Sequence, residues 1–178
     1  MKKFLLLTVI LFSLPVLAYP QVSGTDSKTA KKQMEYKHNI GASAGYIAGP
    51  GISYRYWIND RYGVQTALYP YYYKHDGEKD VNLSAGLMGL RILSETERLN
   101  LFAYLGARVQ HKSHSSRNNG GDPYETNDDY LHVGGGPGIE IKVSRLSLNA
   151  MVGIRGKTDF KQQQEISFSA EGGIYYRF

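Results

Sequence analysis

The stretch "HKSHSSRNNGGDPYETNDD" gathers His111, His114, Asp122, Asp128 and Asp129 into one polar segment. Imidazole and carboxylate are both metal ligands, but the spacing here matches no diagnostic metal site, and no metal or other cofactor is expected. Recognition of a surface partner is the other chemistry such a segment can carry, because loops on rigid scaffolds hold many binding sites. Downstream, His132 has serines within reach along the chain. A hydrolase acting on lipid would need a nucleophile, a base and an orienting acid in one cluster, and no motif ties these residues together. "GGGPGIE" has the glycines of a phosphate loop but lacks its lysine and its helix. No catalytic residue is therefore assigned, and alternate glycines there are expected to make room for bulky neighbours such as Tyr104.

The elements that would position such residues are strands. In the final segment Ile166, Phe168, Ala170, Gly172, Ile174, Tyr176 and Phe178 share one parity, against Ser167, Ser169, Glu171, Gly173, Tyr175 and Arg177. Period two marks a strand with two different environments. Leu146 to Arg155 and Leu131 to Val143 repeat the pattern. A two-residue turn at Ser144 and Arg145 would set Val143 against Leu146, Ile141 against Leu148 and Glu140 against Asn149, so that like faces coincide. A tight turn around Asn59, Asp60 and Arg61 likewise aligns Tyr56 with Val64 and Arg55 with Gln65. Further strands are predicted at Ile40 to Ala48, Ile52 to Ile58, Tyr62 to Tyr73, Val81 to Leu93 and Leu99 to Gln110. In the fourth strand the parity of Val81, Leu83, Ala85 and Leu87 carries Arg91 onto the apolar face and Met88, Leu90 and Ile92 onto the polar one. Either a bulge resets the phase, or Arg91 lies at the strand end with its charge extended outward.

Composition sets the compartment. "MKKFLLLTVILFSLPVLA" pairs two lysines with a short apolar run and small residues at Val16 and Ala18, as in a secretory signal. Residues 1–18 are read as that signal, 19–38 as a flexible leader, and 39–178 as one domain. Cysteine is absent, so no disulfide framework is available. The net charge of +5 includes Lys2 and Lys3, and the remainder is too small to argue for nucleic acid. Fifteen tyrosines and twenty glycines favour strands, interfaces and crowded backbone.

Alternation alone fits either a soluble, lipocalin-like barrel with an apolar lumen or a membrane barrel turned inside out. Short turns at one end and longer loops at the other, with about seven residues around Gly77 and nearly twenty from His111 to Asp129, follow the membrane pattern. The turn at Gly49, Pro50 and Gly51 breaks it. On the apolar face Tyr56, Tyr62, Tyr176 and Phe178 mark the inner ends of strands, and Tyr46 and Tyr72 the outer ends, as two membrane interfaces would select. The polar face carries Arg55, Arg108, Glu140, Lys142, Arg155, Glu171 and Arg177. Because an eight-stranded lumen is just wide enough for side chains to fill it, these charges form either a salt-bridged plug or a narrow ion path.

From Asn39 to Phe178, the eight alternating strands and the terminal "GGIYYRF" resemble the small outer-membrane barrels of Gram-negative bacteria. That group includes the OmpA transmembrane domain, OmpX and the porin-family barrel-domain proteins of Bacteroidetes-like bacteria. The resemblance implies an all-β, eight-stranded antiparallel up-and-down transmembrane β-barrel in the outer membrane. It also implies contact with outer-membrane lipid, and a final strand read by the barrel-insertion machinery. The expected role is structural or surface-interacting, as a monomer and not an enzyme, with a surface partner at residues 111–129. A lipid-modifying enzyme and a narrow pore are the alternatives.

Overall fold

Backbone hydrogen bonds between His38 and Phe178, at 3.1 and 2.8 Å, join the two ends of a single sheet into a cylinder. The computed structural model describes residues 36–75, 78–116, 124–159 and 164–178. The eight strands are β1 (His38–Gly45), β2 (Gly51–Trp57), β3 (Tyr62–His75), β4 (Glu78–Glu95), β5 (Leu99–Ser116), β6 (Tyr124–Val143), β7 (Leu146–Asp159) and β8 (Gln164–Arg177). Each pairs antiparallel with its neighbours in sequence, and β1 closes on β8 with Ile40 opposite Tyr176 and Ala42 opposite Ile174. The carboxy-terminal residue is thus held by the ladder. The proposed signal, residues 1–18, and all but the last residues of the leader lie outside the described residues; β1 begins at His38, one residue before the expected domain edge.

Turn chemistry sets register at the end where the described chain enters and leaves. Asn59 Oδ1 accepts the N–H groups of Arg61 and Tyr62, both at 2.9 Å, and fixes the β2–β3 turn. Tyr56 consequently faces Val64 and Arg55 faces Gln65. Ser144 takes a left-handed conformation, φ 54°, in the two-residue β6–β7 turn. Val143 then meets Leu146, Ile141 meets Leu148 and Glu140 meets Asn149. Between β4 and β5, Thr96 Oγ1 accepts the N–H of Leu99 at 3.1 Å.

Parity sorts side chains into two opposed environments. Phe168 is 89 % exposed and Ile52 and Ile166 are 69 % exposed, whereas Arg55 is 0 % and Glu140 3 % exposed. This inverts the usual arrangement of a water-soluble protein. A continuous apolar belt of this kind in water would drive association; around a closed barrel it is the wall that meets hydrocarbon. The chain is therefore a transmembrane barrel, and the soluble alternative with an apolar lumen and a polar exterior does not describe it.

One open alternative is decided, in favour of Arg91 at the strand end, and two expectations are corrected. In β4 no phase change occurs across the wall: Leu83, Leu87 and Leu93 point outward, while Met88, Leu90 and Ile92 point inward and are buried. Arg91 stays on the outward face at the inner strand end, its guanidinium carbon 6.0 Å from the Tyr62 ring. The register with β5 slips only later, between Ile92 and Ser94. Secondly, most of the stretch from His111 to Asp129 is not loop. His111–Ser116 extends β5 and Tyr124–Asp129 extends β6, paired as His111 with Asp129 and His114 with Thr126. Both faces of this extension are polar outside the bilayer, so it shows no hydropathy period. Strands β3 and β7 also run further than their hydropathy period, to His75 and Asp159.

The third concerns β1, which ends at Gly45 instead of running to Ala48. Beyond it the chain folds into the lumen, leaving Ile47 0 % and Ala48 2 % exposed. Gly49, at φ 85°, turns it back toward β2. The barrel wall makes room with glycine: a Cβ on Gly86 would stand 2.2 Å from the Ala48 carbonyl oxygen, and one on Gly134 2.6 Å from Ile47 Cδ1. The glycines of "GGGPGIE" therefore serve packing. A Cβ on Gly138 would stand 2.6 Å from the Phe102 ring, and Tyr104 sits similarly against Gly153 of the facing strand.

An outward substitution separates lipid from water as the surrounding solvent. Val152, 60 % exposed, lies in the belt. Val152→Arg should cost about 2–4 kcal/mol in liposomes, read by urea titration of the fluorescence of Trp57, the sole tryptophan. A cost near zero would place that face in water.

Candidate functional site

The lumen is layered. Nearest the short turns, Arg55 Nη1 contacts Glu140 Oε1 at 2.6 Å, with both side chains almost wholly buried. Gln65 Oε1 accepts from Arg55 Nε and Nη2 at 3.1 and 2.8 Å, and Asn100 Nδ2 donates to Glu140 Oε2 at 3.0 Å. The guanidinium carbon also lies 4.5 Å from the Tyr175 ring centroid. Beside this pair Lys142 Nζ meets Glu95 Oε1 at 2.8 Å. Arg177 lies with its guanidinium carbon 4.9 Å from the Tyr36 ring.

Packed around and above the ion pairs is an apolar cluster built from Trp57, Met88, Leu90, Phe102, Tyr104 and Met151. Its presence explains β4, whose inward residues are apolar because they meet these rings. A barrel of this size encloses too little space for a wet channel alongside such side chains.

The inserted connection caps that layer. Glu171 Oε1 accepts the N–H groups of Tyr46 and Ile47, and Oε2 that of Ala48, each at 2.8 Å. One carboxylate thus satisfies three backbone donors that leave the ladder when β1 ends. The sequence carried one signal of this: Ile47 falls at the inward parity of β1, where the preceding residues are Asn39, Gly41, Ser43 and Gly45.

The mouth opposite the short turns opens as a cup of about 540 Å³. Arg108 and Lys112 of β5, Arg155 and Lys157 of β7 and His132 of β6 line it. Arg108 Nη2 lies 3.2 Å from His132 Nε2 and 3.3 Å from Gln110 Oε1. Because a guanidinium only donates, His132 Nε2 is the acceptor and the ring proton sits on Nδ1. Arg155 donates to Ser167 Oγ from Nε and Nη2 at 3.2 and 2.9 Å, and its guanidinium carbon lies 4.2 Å from the Tyr46 ring. Tyr46 therefore belongs to the mouth, and its expected place among outward interfacial rings is corrected: the chain leaves the wall before it. Tyr56, Tyr62, Tyr176 and Phe178 keep outward parity at the inner ends, and Tyr72 at the outer end. Tyr54 joins the outward set, hydrogen-bonded at 2.6 Å to His38.

All seven charges of the polar face are buried, but they divide into two groups. Arg55, Glu140, Lys142 and Arg177 lie toward the short turns, and Arg108, Arg155 and Glu171 toward the mouth. Among the polar-loop residues, His111 Nδ1 pairs with Asp129 at 2.8 Å and His114 pairs with Asp80 of β4. Asp122 lies outside the described residues. Among those described, no three His, Asp or Glu side chains converge on a metal position.

The chain matches no protein-family profile and no curated protein. Solved structures resemble it in outline. The N-terminal β-barrel domain of Pseudomonas aeruginosa OprF aligns at 16 % identity and a TM-score of 0.48, over 79 % of this chain and 96 % of that one. Ail, the attachment invasion locus protein of Yersinia pestis, aligns at 17 % and 0.46 over 79 % and 96 %. A major outer membrane protein of Thermus thermophilus gives 16 % and 0.43 over 79 % and 98 %.

Removing one partner of the inner pair leaves a buried charge unmatched. Glu140→Ala should therefore cost about 3–5 kcal/mol in urea titrations. The double variant Arg55→Met, Glu140→Met should cost less than either single change; a double variant as unstable as the sum would deny the pairing.

His114 lies beyond the membrane, and its hydrogen bond to Asp80 raises its pKa above the ordinary 6.5. The pairing thus supports the outer ends of β4 and β5 below about pH 6.5 and is lost as pH rises through the raised value. Amide exchange there should quicken as pH rises above about 6.5, beyond the intrinsic base dependence, and His114→Gln should remove the excess. Equal excess in both proteins would refute the pair's role.

Proposed function

We propose that this chain is a monomeric outer-membrane barrel, exported by its first 18 residues, with a plugged lumen and a structural or surface-interaction role. The observation that carries this reading is the inverted burial: charges such as Arg55 and Glu140 inside, with Phe168, Ile52 and Ile166 outside. A monomer is favoured because eight strands close on themselves and leave no edge to share. Strand β8, with Phe178 directly after it, is the segment offered to the barrel-insertion machinery. The extended outer ends of β4, β5 and β6 replace a loose loop as the surface presented to a partner.

The alternatives lose support for specific reasons. An ion path would have to pass the buried layer of Trp57, Phe102 and Met151 and the inserted Ile47. A lipid hydrolase would need His132 beside a hydroxyl nucleophile, whereas Nε2 faces the Arg108 guanidinium.

Cell fractionation followed by gel electrophoresis tests the assignment. The protein should stay with the outer membrane after urea washing and should migrate differently before and after boiling. Recovery in the soluble fraction without detergent would overturn it. Planar bilayers at high protein load should stay electrically silent; steady unitary conductance would favour the pore instead.

A further inference from the structure

The two halves of the lumen treat charge differently. Toward the short turns two buried cations each have their own carboxylate, Arg55 with Glu140 at 2.6 Å and Lys142 with Glu95 at 2.8 Å. At the mouth Arg108, Lys112, Arg155 and Lys157 converge on one cup whose lining, among the described residues, contains no carboxylate side chain. Glu171 lies below, but both its oxygens are engaged by the N–H groups of the inserted connection. Glu165, largely exposed, reaches Arg155 Nη2 only at 3.6 Å. Asp128 stands opposite Lys112 in register, a carboxylate at the same height on the hairpin, and serves that rim cation alone.

Gathering like charges in a partly desolvated space is unfavourable. Departures from local consistency of this kind concentrate where a protein binds something. The cations are also held in place. Lys157 Nζ and Lys112 Nζ lie 4.2 and 5.8 Å from the ring of Tyr130, and Arg155 lies over Tyr46. These ring contacts orient a cation without consuming its N–H donors. Two further donors are buried with no acceptor among the described residues: Arg108 Nε and His132 Nδ1. Since His132 Nε2 already accepts from Arg108, its Nδ1–H is available only as a donor.

We propose that the mouth of the barrel is a binding site for a compact oxyanion carrying phosphate or sulfate, held by Arg108, Arg155, Lys112 and Lys157, with His132 donating from Nδ1. The volume of about 540 Å³ falls within the roughly 300–1,000 Å³ of small-molecule sites. Tyr46, Tyr130 and Pro50 supply flat apolar walls beside the charges. A frame bearing more than one anionic group fits this lining better than a single small ion. Guanidinium forks suit tetrahedral oxyanions. The occupant is either the phosphorylated headgroup of a neighbouring lipid or a soluble phosphate or sulfate ester. The site goes beyond the structural role proposed above and does not depend on which membrane the barrel occupies.

Titration calorimetry of the full chain, folded in zwitterionic detergent at constant ionic strength, provides the test, with inorganic pyrophosphate as probe. Saturable binding near one equivalent is expected, undiminished when chloride replaces the balancing anion. Lys112→Gln with Lys157→Gln removes the exposed and the half-buried rim cation while leaving the buried network in place. Binding should weaken about tenfold for each cation removed. Arg108→Lys keeps a charge but loses the fork and should also weaken binding. The boiling-dependent gel shift verifies folding for every variant, so failure of the barrel assignment and failure of the site give different results. Folded wild type that binds no pyrophosphate, or equal affinity in wild type and the lysine double variant, would overturn the site. Nanodiscs then distinguish the sources. Loss of pyrophosphate binding when a phosphorylated glycolipid is added to phosphatidylcholine identifies the lipid headgroup, and undiminished binding identifies a soluble ester; both uphold the site.

Discussion

Closure of the backbone ladder between β1 and β8 is the constraint on which everything else depends. In hydrocarbon an unpaired strand edge would leave a row of polar groups unsatisfied, so the sheet must meet itself. The bonds between His38 and Phe178 complete that ring. Once eight strands close, the interior is only wide enough for side chains, and each inward residue must find its partner across a few ångströms. The outward residues face a solvent that asks only for apolar surface. The same period-two alternation therefore encodes two unequal tasks.

The interior solves its task differently at different depths. Near the short turns the charges pair closely, Arg55 with Glu140 and Lys142 with Glu95, and aromatic rings enclose the guanidinium. Mid-lumen the filling is apolar. Above it the barrel is closed by its own backbone, where Tyr46–Ala48 turns inward and offers three N–H groups to Glu171. Glycine is needed at 86 because the inserted backbone passes where a Cβ would stand, whereas at 134 a Cβ would meet the Ile154 carbonyl oxygen of β7 as well as the tip of Ile47. Plugging the lumen this way leaves the mouth shallow, and its cations line a cup in place of a channel.

Rigidity of the wall gives that cup its geometry. Arg108, His132 and Arg155 project from the interiors of three adjacent strands, β5, β6 and β7. Their relative positions are set by ladder register, Arg108 opposite His132 and His132 opposite Lys157. Side chains mounted on paired strands hold their geometry more tightly than side chains on loops.

Strand number, parity, both inner-turn registers and the outward aromatic residues at the inner ends were legible in the sequence. Each follows from local pattern: alternation fixes the face of every residue, and turn residues fix the pairing on either side. The seven charges of the polar face could be read as inward for the same reason. Tertiary structure alone decided which of them meet, because Arg55 and Glu140 are 85 positions apart and contact across the lumen. It also decided that Met88, Leu90 and Ile92 fill the interior, since an apolar residue on the inward face looks like an error until its neighbours are known. The polar extensions of β5 and β6 were hidden because, outside the membrane, pairing no longer leaves a mark in hydropathy. The inward fold after Gly45 was hidden because it depends on a carboxylate more than a hundred residues away. Local alternation reports what each strand faces, and only the closed barrel determines what it touches.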